Sequence, residues 1–136
     1  MSKRANSRKM AMRMIYQHDI RNQELTSIFE DLDKSQYAEE TVDWAFKLAE
    51  TTVNHIDSID EIIAKYSIDW APDRLNRIDR ALLRIGIAEI NHTDTPFQVV
   101  INEIIEISKI YSTEESAKFI NGILDKYVKD TCLQDS

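Results

Sequence analysis

The sequence predicts an all-α protein that forms one compact domain of about seven helices. Three observations favour this fold class. The 136 residues include only two glycines and two prolines, too few for the many tight turns of a sheet. Apolar residues recur at spacings of three and four along most of the chain, and no strand-like alternation persists. The hydrophobic fraction of 43% is ordinary for a globular domain, so wholesale disorder is not expected.

Four helices are predicted in the first half of the chain. The first covers residues 5–19, and its core-facing stripe consists of Ala11, Met14, Ile15 and His18. Residues 27–30 (SIFE) fit a capping box that would open a short second helix. The third helix is predicted over residues 39–54, with an apolar stripe that includes Val42, Phe46 and Val53. A second capping box at residues 58–61 (SIDE) would start the fourth helix.

Three further helices follow a break at residues 70–72, where a proline disfavours helix in the residue before it. A central, largely buried helix is predicted from Leu75, with its stripe at Ile78, Leu82, Ile85 and Glu89. The sixth covers residues 97–111, and a capping box at 112–115 (STEE) opens the last. The domain is assigned to residues 1–130, and residues 131–136 are predicted to be a frayed polar tail.

Two asparagines and one glycine interrupt the apolar surface of the last two helices. Asn102 and Asn121 are expected to be buried and to tie helices together, although they could instead line a binding surface. Gly122 is expected to allow another helix to approach closely.

The motifs of several enzyme and metal-site classes are missing from the sequence. Two glycines cannot form a phosphate-binding loop, and no nucleophile elbow occurs. The three histidines and the single cysteine lack metal-ligand spacing, so neither a metal nor a cofactor is expected. A non-enzymatic protein is the preferred interpretation. The absence of a signal peptide, of a disulfide pair and of a long apolar run predicts a cytoplasmic protein with no membrane partner.

Charge is distributed unevenly along the chain. Residues 1–21 carry six basic side chains against one acid, a net charge of +5, whereas the remaining residues carry a net charge of −12. This split is typical of a localised polyanion-binding segment on an acidic body, although a solvated helix face gives the same pattern. On the last helix, Lys118 and Phe119 could contact a phosphate and stack on a base, but core packing is the more common role of a single phenylalanine.

Four segments, in this order and spacing, resemble the NusB family over nearly the whole chain. They are the basic start leading into residues 11–17 (AMRMIYQ), residues 78–90 (IDRALLRIGIAEI), residues 100–109 (VINEIIEISK) and residues 116–125 (SAKFINGILD). The resemblance implies a transcription antitermination factor that binds boxA RNA, notably of ribosomal RNA operons, as a heterodimer with the ribosomal protein NusE. It also implies assembly with other Nus factors on RNA polymerase.

The resemblance also implies which residues contact the two partners. The RNA-binding residues would be Lys3, Arg4, Arg8, Lys9, Arg13, Tyr16, Glu115, Lys118 and Phe119. The residues that bind NusE would be Tyr66, Asp73, Asp79, Arg80 and Arg84. The basic start is less dense in arginine than in some family members, because residues 5–7 (ANS) interrupt it. We therefore expect weak RNA binding by this chain alone and tighter binding by the heterodimer.

Two other functions are considered against this one. NusB-like domains also occur fused to RNA methyltransferases, but a second, glycine-containing cofactor domain would be needed and is not expected here. The chain could also be a structural adaptor or a homodimer whose N-terminal charge only solvates a helix end. An adaptor would keep its protein partner and would ignore RNA after its basic start is neutralised.

Overall fold

The computed structural model describes residues 3–67 and 75–135 of the chain. The described residues form helices and contain no strand, which confirms the predicted all-α class. The helices are α1 (Lys3–Arg21), α2 (Leu25–Asp31), α3 (Glu39–Asn54), α4 (Ile56–Tyr66), α5 (Arg77–His92), α6 (Phe97–Tyr111) and α7 (Glu114–Asp135). The predicted bounds of α3 and α6 are those of the structure.

Helix α5 forms the centre of the fold. Every side chain from Ala81 to Glu89 is buried, as expected for a helix that is apolar around much of its circumference. Helices α1, α6, α4, α3 and α7 all pack against α5, and α1 packs most extensively against α3. The core therefore lies around α5, with α1 fixed on one side of it and α7 on another.

Glycine allows close helix packing at one of the two glycine positions. A Cβ atom placed on Gly86 would lie 3.3 Å from Cγ1 of Ile104, so the missing side chain lets α6 approach α5 closely. The prediction of close approach at Gly122 is wrong, because a Cβ atom there would have no neighbour within 4 Å. The expected burial of Asn102 and Asn121 is wrong as well, since both side chains are exposed.

The starts of the helices differ in part from the predicted capping boxes. Ser27 and Ser58 lie inside α2 and α4, which begin two residues earlier. The side chain that caps α7 is Thr113, whose Oγ1 accepts a hydrogen bond from the Ser116 amide at 3.0 Å. Helix α5 begins at Arg77 after Asn76, whose Oδ1 accepts bonds from the amides of Ile78 and Asp79. The predicted break at residues 70–72 lies outside the described residues.

Helix α7 continues through the segment that the sequence assigned to a polar tail. It ends at Asp135 rather than near residue 130. Two tyrosines hold its second half: the Tyr66 hydroxyl donates to Asp130 at 2.8 Å, and the Tyr127 hydroxyl donates to Asn91 at 2.6 Å. None of the helices in the described parts of the chain has the length and apolar character needed to cross a membrane.

Candidate nucleic-acid interface

The basic residues of α1 point in different directions, and Arg8 points into the core. Its side chain is 2% exposed and lies against Glu89, which is 0% exposed. The guanidinium donates two bonds, from Nε to Oε1 at 2.7 Å and from Nη2 to Oε2 at 2.6 Å. This bidentate pair joins α1 to α5 and neutralises both charges. The structure therefore corrects the assignment of Arg8 to an RNA-contacting surface, because its side chain is enclosed.

Lys3 and Arg4, at the start of α1, are exposed and contact α3. Lys3 forms an ion pair with Glu40, and the Arg4 guanidinium lies 4.1 Å from the centre of the Trp44 ring. The hydrogen bond and positive charge of Lys3 lower the pKa of the Glu40 carboxyl below its ordinary value. Both cations are accessible, but each already has a partner on α3.

The outer face of α1 carries Lys9, Arg13 and Tyr16, which lie within about 60° of one another around the helix at 100° per residue. Arg13 is exposed, while Lys9 and Tyr16 are half-buried. The Arg13 guanidinium donates to the Tyr111 hydroxyl at 2.8 Å and lies 5.7 Å from the centre of that ring. Two cations and two aromatic side chains thus share one surface between α1 and the end of α6.

A cavity of about 190 Å³ lies between the starts of α5 and α7. It is lined by Leu75, Asn76, Asp79, Thr113, Glu115, Ser116 and Phe119. Asp79 is 5% exposed and accepts a hydrogen bond from the Ser116 hydroxyl at 2.7 Å, while its Oδ1 has no hydrogen-bond partner. The cavity therefore offers an apolar ring to a ligand, and a buried carboxylate oxygen without a hydrogen-bond partner lies behind its wall.

The cavity neighbours the end of α6, where Tyr111 contacts Arg13. Asn76 donates to the Ser112 hydroxyl at 3.4 Å, and Ser112 follows Tyr111 directly. Lys118 is exposed beside Phe119 on α7, and Glu115 is exposed one turn earlier. We call this surface the α1–α7 surface; it consists of Lys9, Arg13, Tyr16, Tyr111, Asn76, Asp79, Glu115, Lys118 and Phe119.

The four residues assigned to NusE that the structure describes do not form one exposed cluster. Tyr66 is half-buried against α7, Asp79 lines the cavity, and Asp73 lies outside the described residues. Arg80 pairs with Asp19 at 3.3 Å. Arg84 is 8% exposed and makes two bonds to Asp60, each 2.9 Å long. Most of the Arg84 side chain is therefore committed to an ion pair between α5 and α4.

The α1–α7 surface brings together cations, aromatic rings and polar side chains. No group of three or more histidine, cysteine or acidic side chains in the described residues could hold a metal ion. Sequence reasoning missed Tyr111, Asn76 and Trp44. Tyr111 ends a predicted helix and Trp44 lies on a predicted amphipathic one, so periodicity alone could not show that each contacts an arginine of α1.

The family comparisons agree with the fold. A model of the NusB family matches residues 5–129 of the chain. The transcription antitermination protein NusB of Nitratiruptor is 37% identical over 131 residues, covering 96% of this chain and 94% of that protein. The corresponding protein of Fervidobacterium nodosum is 39% identical over 132 residues, covering 95% and 92%.

Solved structures show the same similarity in three dimensions. The chain superimposes with a TM-score of 0.86 and 31% identity on a chain from the crystal structure of antitermination factors NusB and NusE in complex with double-stranded RNA, covering 96% of this chain and 98% of that one. It superimposes on T. maritima NusB with a TM-score of 0.85 and 34% identity, covering 95% and 92%. The chain therefore belongs to the NusB family, a family of transcription antitermination factors and not of enzymes.

Proposed function

We propose that this chain is an antitermination factor that binds boxA RNA of nascent transcripts, notably those of ribosomal RNA operons, as a heterodimer with NusE. It would act in the cytoplasm, within an RNA polymerase complex that contains other Nus factors. The observation that carries the proposal is Arg13, an exposed cation held by Tyr111 next to the Phe119 cavity. A related NusB structure contains both NusE and RNA.

The α1–α7 surface has the chemical groups that single-stranded RNA requires. Arg13 and Lys118 can pair with phosphates, and each pairing releases condensed counterions, which makes binding sensitive to salt. Phe119 and Tyr16 offer rings for base stacking. Two cations of this surface, Arg13 and Lys118, are exposed, Lys9 is half-buried, and the chain as a whole carries a net charge of −7. Binding by this chain alone is therefore expected to be weak.

NusE would supply the remaining contacts. The Oδ1 atom of Asp79 is buried without a hydrogen-bond partner, so it would accept a hydrogen bond from NusE or the RNA only after the wall of the cavity moves. Tyr66 and Arg80 reach the surface in part, while Arg84 would act by holding α5 against α4. Asp73 stays a prediction, and so does formation of a homodimer.

The proposal is tested by titrating a fluorescently labelled boxA oligonucleotide with this chain, with NusE and with their mixture. The mixture is expected to bind at least about tenfold more tightly than either protein alone, which corresponds to about 1.4 kcal/mol of added contact energy. An oligonucleotide of the same length with a scrambled sequence controls for purely electrostatic binding. Equal affinity with and without NusE would contradict the heterodimer, and equal affinity for both oligonucleotides would contradict boxA recognition.

A further inference from the structure

An open groove of about 540 Å³ lies between the start of α6 and the second half of α7. Its apolar residues are Phe97, Ile101 and Val128. Ile101 and Val128 are buried, whereas Phe97 is 38% exposed. The residues that line this groove are not among those of the α1–α7 surface. The groove therefore offers a separate apolar site that can take a side chain of a partner.

Two amide side chains border the groove, Asn102 on α6 and Asn121 on α7. Both are exposed, although the sequence pattern favoured their burial. A carboxamide carries two donors and one acceptor, so it can bond to the N–H and the C=O of an extended peptide at once. Two such groups on neighbouring helices can hold one peptide segment along the groove by its backbone.

Gly122 follows Asn121 on the exposed face of α7. A Cβ atom placed on Gly122 would have no neighbour within 4 Å, so the missing side chain helps no described helix to pack. Glycine inside a helix lowers stability relative to alanine. A ligand backbone that lies directly on a helix needs the space that a side chain would fill. Close approach of a partner from outside the chain would account for this glycine.

The charge beside the groove is positive and small. Gly122, Lys126 and Lys129 lie within about 60° of one another around α7 at 100° per residue. Lys129 pairs with Asp125 at 2.9 Å, so these two charges offset each other, and the exposed Lys126 adds a positive charge. One added cation suits an acidic side chain of a peptide. A strand of RNA carries a phosphate at every nucleotide and requires more cations.

We propose that the groove between α6 and α7 binds an extended, acidic peptide segment of a partner protein. The amides of Asn102 and Asn121 hold the backbone of this peptide, which lies close to α7 at Gly122. One apolar side chain of the peptide packs on Phe97, and one acidic side chain pairs with Lys126. Because the groove is separate from the α1–α7 surface, the peptide and RNA can be bound at the same time.

Peptides selected on this chain from a random library displayed on phage provide the first test. The enriched sequences are expected to combine a large apolar residue with at least one aspartate or glutamate. A labelled synthetic peptide of the enriched sequence is then titrated with the chain to give its affinity. Failure to enrich any sequence, or enriched sequences without an acidic residue, would overturn the proposal.

The contacts of this peptide are tested with matched pairs of variants. Asn102→Ala and Asn121→Ala are each expected to weaken its binding by about three- to tenfold, the loss of one hydrogen bond. Asn54→Ala makes the same change at an exposed asparagine at the end of α3 and should have no effect. Lys126→Gln should weaken binding by about two- to threefold, whereas Lys47→Gln, at an exposed lysine of α3, should not. Equal effects within either comparison would overturn the assigned contacts.

Gly122→Ala distinguishes a binding role from a structural one. Alanine favours helix and its Cβ atom has space, so the midpoint of urea denaturation should rise. The affinity for the peptide should nevertheless fall by at least about fivefold, because a methyl group would enter a close contact. Unchanged peptide affinity in the more stable variant would overturn the close approach at Gly122.

The same variants are titrated with boxA RNA in the presence of NusE. We expect the RNA affinities of Asn102→Ala, Asn121→Ala and Gly122→Ala to equal that of the wild type, because the groove lies apart from the α1–α7 surface. A loss of RNA affinity in these variants would assign the groove to the RNA and would overturn the proposal of a peptide site.

Discussion

Arg8 and Arg13 lie five residues apart on α1, yet they belong to different regions of the molecule. Arg8 is enclosed with Glu89 between α1 and α5, whereas Arg13 is exposed and contacts Tyr111 at the end of α6. Five residues turn a helix by about 500°, which places the two side chains some 140° apart. The comparison teaches that the net charge of a sequence segment does not give the charge that the folded segment exposes to solvent. One arginine holds the fold together, and the other is available to a ligand.

The first prediction removes the buried arginine. Arg8→Ala is expected to lower the free energy of unfolding by about 3–5 kcal/mol, because Glu89 would keep a buried charge with no partner. The fall is measured by urea denaturation followed by circular dichroism. It should be the largest effect of any single change at a basic residue of α1.

Two variants serve as controls for this first prediction. Arg13→Ala should change the free energy of unfolding by no more than about 0.5 kcal/mol, as expected of an exposed side chain. The double variant Arg8→Met, Glu89→Leu should recover most of the stability, since it removes both charges and fills the space. If Arg8→Ala were as stable as Arg13→Ala, the buried pair would not hold α1 to α5.

The second prediction addresses the exposed arginine. Arg13→Ala is expected to weaken boxA binding by the heterodimer by about three- to tenfold and to reduce the slope of log affinity against log salt by about 0.7, the value for one phosphate contact to a single strand. Titrations at several salt concentrations give both quantities. A loss of affinity with an unchanged salt slope would show that Arg13 does not contact a phosphate.

Sequence reasoning predicted the fold better than the surface. The bounds of α3 and α6, the buried α5 and the family all follow from periodicity and motif order, and the structure and comparisons confirm them. Helix starts were less accurate, since Ser27 and Ser58 fit a capping box but lie inside helices. Many short motifs fit such a pattern, and the packing of neighbouring helices decides which turn is the first.

The candidate site could be predicted only in part, because contacts between residues distant in sequence determine which side chains are exposed there. Glu89 lay on the predicted apolar stripe of α5, and a carboxylate there requires a buried cation. That signal pointed to a basic partner, but 81 residues separate Glu89 from Arg8 and nothing in the sequence selects Arg8 over Arg4. The contacts of Arg13 with Tyr111 and of Arg4 with Trp44 likewise depend on how α1 packs.

The third prediction sharpens the description of the exposed region. Tyr111→Phe removes the hydroxyl that accepts the hydrogen bond from Arg13 and keeps the ring beneath it. We expect RNA affinity to fall by about two- to threefold, less than in Arg13→Ala, because the guanidinium keeps its charge and loses one orienting bond worth about 0.5–1 kcal/mol. The RNA affinity of Tyr111→Leu, which also lacks the ring, should fall further. Equal RNA affinities of Tyr111→Phe and Arg13→Ala would mean that Arg13 contributes to RNA binding only when it is hydrogen-bonded to Tyr111.

The fourth prediction, with the smallest expected effect, concerns two histidines, His55 and His92. They are groups of the same kind, whereas Arg8 and Glu89 carry opposite charges. The rings of His55 and His92 stack with their centres 3.9 Å apart. Partial shielding of the ring from water, and secondly the charge of His55, lower the pKa of His92 below its ordinary value of 6.5. The unfolded chain therefore binds a proton at His92 more readily than the folded chain. The free energy of unfolding should decline slightly as pH falls through about 6.5 and level off below the folded pKa.

His92→Gln isolates this contribution, because glutamine is polar and does not titrate in this range. Urea denaturation of the wild type and the variant between about pH 8 and pH 5 should give curves that converge as the pH falls, with the wild type showing the additional decline. His55→Gln should remove only part of the difference, since partial shielding from water is the larger cause of the lowered pKa. Parallel curves for wild type and His92→Gln would show that His92 titrates alike in the folded and unfolded chain. In that case a proton on His92 would not change the stability of the stacked rings. Charge would then contribute to the free energy of unfolding at the buried Arg8 and not at the exposed histidine pair.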